Sequence, residues 1–231
     1  MISLQLVISL YDIFRVMMLG PKIGMGVRFD SEKDVESFLE DQMVSFKEID
    51  HSYCVGIVDI VNSTQITAKL SQVKACEYYT VFLNALGYIA EANGATVVKN
   101  IGDSILFYFP ELSKDEDGFL IPVTCGRKML EASELINKIF AKNELPKIQY
   151  RVSVDYGPLM IANYKTSCCE DIFGSTVNLC SKINRSAKPN GMVVGNDFYQ
   201  MIKKSRQHKY TEVKKLQTGL RQDYPVYEIT F

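Results

Sequence analysis

Tryptophan is absent from these 231 residues, and histidine is limited to His51 and His208. Two histidines leave no material for a multi-histidine metal centre and little for a histidine-based triad. The six cysteines, Cys54, Cys76, Cys125, Cys168, Cys169 and Cys180, lack CxxC spacing and fall mostly inside apolar or helical patterns. They read as reduced thiols of a cytoplasmic protein, with no zinc site or disulfide framework. An excess of one charge is missing too: 26 basic and 27 acidic residues leave a formal charge of -1. No global basic field marks a nucleic-acid binder, so any anionic ligand must be met by local cations or a metal. Nor is there an unbroken apolar run. Met1 to Leu19 comes nearest, but Gln5, Asp12 and Arg15 interrupt it before Gly20 and Pro21, and a spanning helix needs about 20 mostly apolar residues. Gln5, Ser9 and Asp12 recur at helical spacing, so the segment reads as a broadly apolar packing or dimer helix. Attachment to a membrane surface or to a regulatory partner is the alternative, and Met17, Met18 and Met25 offer other starts. No basic n-region marks a signal peptide.

What is present is enough apolar residue, 47%, for one sizeable core. Asp30 to Asp50 reads as a capped amphipathic helix with Val35, Phe38, Leu39, Met43 and Phe46 on one face, which makes residues 1–50 an N-terminal helical extension. From His51 the pattern turns to YCVGIVDIV, with the length and branching of a buried strand. A helix follows over Lys74 to Asn93, its stripe formed by Tyr79, Phe82, Leu83, Leu86, Ile89 and Ala90, and Asn93-Gly94 stops it. ATVVK and SILFYF then form a hairpin about NIGD, with Gly102 in the turn. PELSKDEDG reads as a solvated loop. A second helix spans Val123 to Asn143 with Met129, Leu135, Ile136, Ile139 and Phe140 inward, and the strand IQYRVSVDY follows. The order is that of an α+β, ferredoxin-like βαββαβ core with helices on one face, within a domain covering 51–231. Extra C-terminal elements are a helix near Val177 to Ser186, the strand GMVVG, and a strand pair near Tyr210 to Val213 and Tyr224 to Ile229.

In such a core Asp59, at the end of the first strand, and Asp103, beside the hairpin tip, come together. Two carboxylates there form a hard-oxygen site for Mg²⁺ or Mn²⁺, since they repel unless a cation lies between them. The connecting IVNST offers Ser63 or Thr64 as a helix cap and free backbone N–H groups to an anion, a cradle for a triphosphate.

GIVDIVNST, GATVVKNIGDSILFYF and DIFGSTVNLCSKINRSAKPNG, in that order and spacing, resemble the class III adenylyl/guanylyl cyclase catalytic domain. The resemblance implies that Asp59 and Asp103 bind two divalent metals per site, with the Ile60 carbonyl as an extra ligand, which makes Asn62, Ser63 and Thr64 of the IVNST cradle the substrate-binding candidates beside them. It implies that Lys99 and Asp171 read the base. A lysine donor and an aspartate acceptor suit N1 and N6 of adenine, so ATP is the expected substrate. It implies that Asn178 positions the ribose. Where the family carries an arginine on the transferring phosphoryl group stands Lys182, a point charge in place of a planar fork, with Arg185 three residues on as its helper. Lys214 and Lys215 are candidates for a further phosphate contact, and the basic run Lys203 to Lys209 reads as a solvated face. Family domains assemble head to tail, and this chain holds both residue sets, so a homodimer with two equivalent sites follows. Alternatives are a cyclase for GTP or a pyrimidine nucleotide, and a degenerate nucleotide-binding domain.

Overall fold

The computed structural model describes Ser31 and residues 44–164, 170–216 and 223–231. The chain divides into two units near Ser45, and the sheet beyond that point belongs to the larger, Phe46–Asn163 with Ser167–Phe231. The expectations for residues 1–30 and 32–43 lie outside the described residues.

The first strand, β1 (Val44–Ile60), begins seven residues earlier than expected. Residues 44–50 are therefore strand and not the end of a helix, and the boundary expected at residue 50 falls inside β1. Phe46, expected on an inward helical face, is 48% exposed and meets the Phe173 ring edge-on at 6.1 Å. A short helix, α1 (Ser63–Thr67), leads into α2 (Gln72–Ala92). Ser71 caps α2 by accepting from the Lys74 N–H, and Gly94, at φ +83°, follows its end. The hairpin of β2 (Thr96–Ile101) and β3 (Ser104–Phe109) turns through Gly102 at φ +62°.

Helix α3 (Glu116–Lys142) starts within the acidic segment expected to be loop, because the Asp115 carboxylate accepts from the Gly118 N–H and nucleates the first turn. Its inward face is Met129, Ile136 and Phe140; Leu135 and Ile139, expected inward, are 62% and 44% exposed. Each precedes a buried residue by one position, which turns it about 100° around the helix. Strands β4 (Tyr150–Tyr164) and β5 (Glu170–Phe173), helix α4 (Ser175–Asn184), β6 (Gly191–Gly195), helix α5 (Asn196–Ile202), β7 (Lys209–Leu216) and β8 (Tyr224–Thr230) complete the fold. The sequence reading omitted β5, α1 and α5.

The sheet runs β2-β3-β1-β4-β6-β8-β7, with β5 paired to β4. Its first four strands have the expected ferredoxin-like order, and β6, β8 and β7 extend it. Strand alternation divides the apolar residues between two faces. Cys54, Val58 and Ile60 of β1 join Ile105, Phe107 and Phe109 of β3 in the main core, with Tyr78, Phe82 and Leu86 of α2 and Met129 and Phe140 of α3. Val55 and Ile57 join Leu106 and Tyr108 on the opposite face, against Ile172 of β5 and Cys180 of α4. Each such fully buried apolar side chain contributes about 1.5–3 kcal/mol. Helices thus cover one face, as expected, but α4 and β5 occupy the other, and the candidate site is built there.

Candidate active site

Asp59 has the same parity along β1 as Val55 and Ile57, so its carboxylate projects to the α4 and β5 face. It stands opposite Ser104 in the β1–β3 register, and the Ser104 hydroxyl donates to Asp59 Oδ1 at 2.5 Å. Asp103 precedes Ser104 directly, so the hairpin turn delivers the second carboxylate beside the first. Burial raises the Asp59 carboxyl above its ordinary value and the Asp103 charge adds to the rise; the Ser104 hydrogen bond, Arg151 and Arg185 oppose it. The pair expected from sequence is therefore in place and mutually repulsive, the condition a cation relieves.

Among the described residues no group of three or more His, Cys, Asp or Glu side chains gathers as a metal cluster. Two carboxylates suit Mg²⁺ or Mn²⁺, which take only one or two from the protein and fill the remaining octahedral positions with water and phosphate oxygens. Among the described residues the donor set fits such ions.

Lys99 and Asp171 form an ion pair, Nζ to Oδ2 at 2.5 Å, between β2 and β5. Asp171 is 9% exposed, and its Oδ1 accepts from the Ile172 N–H at 2.8 Å. The Lys99 ammonium also lies 5.7 Å from the centroid of the Phe173 ring. Beside it, the Tyr108 hydroxyl donates to Glu170 Oε2 at 3.2 Å.

Asn178 and Lys182 stand one turn apart on α4, both exposed. Ser63 and Thr64 lie inside α1, and neither caps it. The cap is Asn62, in left-handed conformation at φ 58° and without a side-chain cap bond. Asparagine tolerates that conformation better than serine or threonine, which is why the cap falls one residue earlier than expected. Lys214 and Lys215 are exposed on β7, at the far edge of the sheet from β2.

Two charged residues of β4 were not singled out from the sequence, and the first of them bears on the site. Arg151 opens β4, next to β1 in the sheet. Its charge bears on Asp59, and its buried Nε has no hydrogen-bond partner among the described residues. A cation within the strand sequence IQYRVSVDY was the available signal. Asp155, also on β4, is fully buried away from solvent, and burial pushes its carboxyl up to about 7 although the Tyr156 N–H and the Tyr224 hydroxyl both donate to it.

The model of the adenylate and guanylate cyclase catalytic domain matches residues 47–229. This chain belongs to that family. An adenylate cyclase of Streptomyces coelicolor is 24% identical over 159 residues, 68% of this chain and 36% of its own length. One of Streptomyces griseus is 25% identical over 150 residues, 65% and 32% of the two chains. The chain thus spans about a third of the length of these curated relatives. The adenylyl cyclase CyaB of P. aeruginosa superposes with a TM-score of 0.71 at 18% identity, over 81% of this chain and 96% of the other. The guanylyl cyclase Cya2 gives 0.70 at 15%, over 78% and 91%. The α+β fold is that of cyclase catalytic domains. Among the described residues no helix is long and apolar enough to cross a membrane.

Proposed function

We propose that this domain converts a nucleoside triphosphate, ATP in preference, to its 3′,5′-cyclic monophosphate and pyrophosphate, at two equivalent sites of a head-to-tail homodimer. The observation that carries the preference for ATP is the contact between Lys99 and Asp171, which sets a donor beside an acceptor at the edge of the site. Adenine offers an acceptor at N1 and a donor at N6, whereas guanine offers the reverse pattern at N1 and O6.

Asp59 and Asp103, with the Ile60 carbonyl, would hold Mg²⁺ or Mn²⁺; such ions when bound activate the ribose 3′-hydroxyl and neutralise the phosphates. The chain from Asn62 through Ser63 and Thr64 borders the triphosphate, and Arg151, short of a hydrogen-bond acceptor at Nε, supplies a cation to it. Asn178 of the other subunit orients the ribose, so that its 3′-oxygen lies in line with the α-phosphorus and pyrophosphate leaves opposite. Lys182 stabilises the charge that develops on the phosphoryl oxygens. It retains the charge of the arginine expected there but not its bidentate geometry, so the rate falls below what an arginine gives.

The exposure of Asn178 and Lys182 on α4 supports a site completed by a second subunit. A second reading, a domain that binds nucleotide without turnover, is favoured by Lys182 alone. Because adenylyl and guanylyl cyclases superpose on the chain equally well, the fold does not choose the base. Incubation of the purified protein with Mg²⁺ or Mn²⁺ and each of the four nucleoside triphosphates, with products identified by mass, tests all of this. Cyclic AMP as the dominant product is expected. A different cyclic nucleotide reassigns the substrate, and no cyclic product from any of the four sinks the catalytic reading.

A further inference from the structure

Lys182 and Arg185 are three residues apart, and spacing alone makes them one cationic face of α4. Both are exposed and Arg185 keeps right-handed helical backbone, but the chain between them is anchored. Helix α4 ends at Asn184, with Arg185 as its C-cap residue. The Asn184 side chain is 2% exposed, and its Nδ2 donates to the Ile57 carbonyl at 3.2 Å, the Arg151 carbonyl at 3.3 Å and the Ser153 hydroxyl at 3.1 Å. These three acceptors lie on β1 and β4, and Ile57 is two residues from Asp59 on the same side of the strand. The helix end is therefore pinned to the strand that carries the metal carboxylate, and the next residue along the chain is Arg185. The chain at Arg185 thus lies beside β1 and β4 of its own subunit. Lys182, one turn back beside Asn178, is exposed as Arg185 is, and the buried Ile183 and Asn184 lie between them.

We propose that Arg185 serves the metal half of the site formed by its own chain, contacting β- and γ-phosphate oxygens beside Asp59 and Asp103, while Lys182 serves the site completed with the partner subunit. The inference rests on the shared-dimer reading above and divides the cations between two sites. A guanidinium suits this place because it presents paired N–H donors to phosphate oxygens and keeps its charge beside a metal site.

Subunit mixing tests it. Two differently tagged full-length chains are co-expressed and the mixed dimer is purified through both tags. Asp59→Ala with Asn178→Ala is the control, since one of the two sites is rebuilt from intact halves. Asp59→Ala with Lys182→Ala regains activity for the same reason. Asp59→Ala with Arg185→Ala does not, because every site then lacks one group of the metal half. Asn178→Ala with Arg185→Ala regains it. Recovery by the Asp59→Ala and Arg185→Ala pair, equal to that of the Lys182→Ala pair, overturns the proposal, as does an Arg185→Ala homodimer with unchanged turnover. A loss on the order of 10²-fold in kcat/KM is expected of that homodimer, with Arg185→Lys recovering only part and the thermal midpoint unmoved.

Failure of the control pair alone defeats the shared-dimer reading, and Arg185 is then judged by direct binding. Inorganic tripolyphosphate with Mn²⁺ is titrated against the unmixed protein. On the proposal Arg185→Ala weakens binding about tenfold, which corresponds to one charged phosphate contact. Unchanged affinity overturns it whatever the oligomeric state.

Discussion

Lys99 Nζ lies 2.5 Å from Asp171 Oδ2, a contact between residues 72 positions apart that joins β2 to β5. The lysine side chain is 41% exposed and the aspartate 12%. The pair is open on the lysine side and closed on the aspartate side, so the lysine end is free to serve recognition while the buried aspartate is held by the Ile172 N–H. Exchange of the two, Lys99→Asp with Asp171→Lys, keeps the ion pair and reverses donor and acceptor. We expect the thermal midpoint to fall, because the Ile172 N–H loses its acceptor, while kcat/KM for ATP falls by about 10- to 100-fold relative to GTP. An exchange variant with unaltered base preference assigns the pair to structure alone.

Asp155 makes stability depend on pH. Its carboxyl ionises near 3.8 when unfolded and is raised to about 7 in the fold, chiefly by burial. Between those values the folded chain keeps a proton that the unfolded chain has lost, so stability falls as pH rises through about 7. The loss is at most ~4 kcal/mol, each pH unit being worth about 1.4 kcal/mol. Asp155→Asn removes the titration and should flatten urea midpoints measured between pH 5 and 8.5. A slope retained in that variant places the titrating group elsewhere.

Gly56 and Phe107 face each other across β1 and β3, and a Cβ at Gly56 would clash with the end of the Phe107 ring. The ring is buried in the main core. Gly56→Ala should cost about 1–3 kcal/mol by overpacking, read as a lower urea midpoint at unchanged slope. Adding Phe107→Leu should return part of the loss; a single variant as stable as the parent would mean the ring moves freely.

The two sides of α3 give a contrast of their own. Leu135→Lys or Ile139→Lys should change stability by less than about 0.5 kcal/mol, because both side chains are exposed. Ile136→Ala, one residue away and 2% exposed, should cost about 2–5 kcal/mol. Equal costs at 135 and 136 would contradict the observed face of the helix.

Local pattern was a good guide where burial is strongly periodic or turn chemistry is specific. The β2–β3 hairpin with its left-handed Gly102, the α2 stripe and the four-strand order are all present in the structure. Pattern misled where two periods share residues. Val44 and Phe46 suit a strand as well as a helix, and the ambiguity is resolved by partners distant in sequence such as Phe173. Leu135 and Ile139 sit at the border of an apolar arc, where composition alone does not say which side the core lies on. The Asp59 and Asp103 pair was legible because a strand end and a hairpin tip converge in this topology. The closeness of Arg151 and Arg185 to Asp59 was not, since it depends on β4 lying beside β1 and on the anchoring of Asn184, neither of which leaves a linear spacing.

The alternation of β1 has a consequence for inheritance. Loss of one codon between Gly56 and Asp59 would rotate the Asp59 carboxylate into the apolar space under α2 and α3 and carry core residues outward. Loss of two would shorten the strand and leave its sides unexchanged. Length in this strand is therefore quantised in pairs, and lineages that preserve the site are expected to vary here by substitution, with single-residue gaps displaced to the loops beyond.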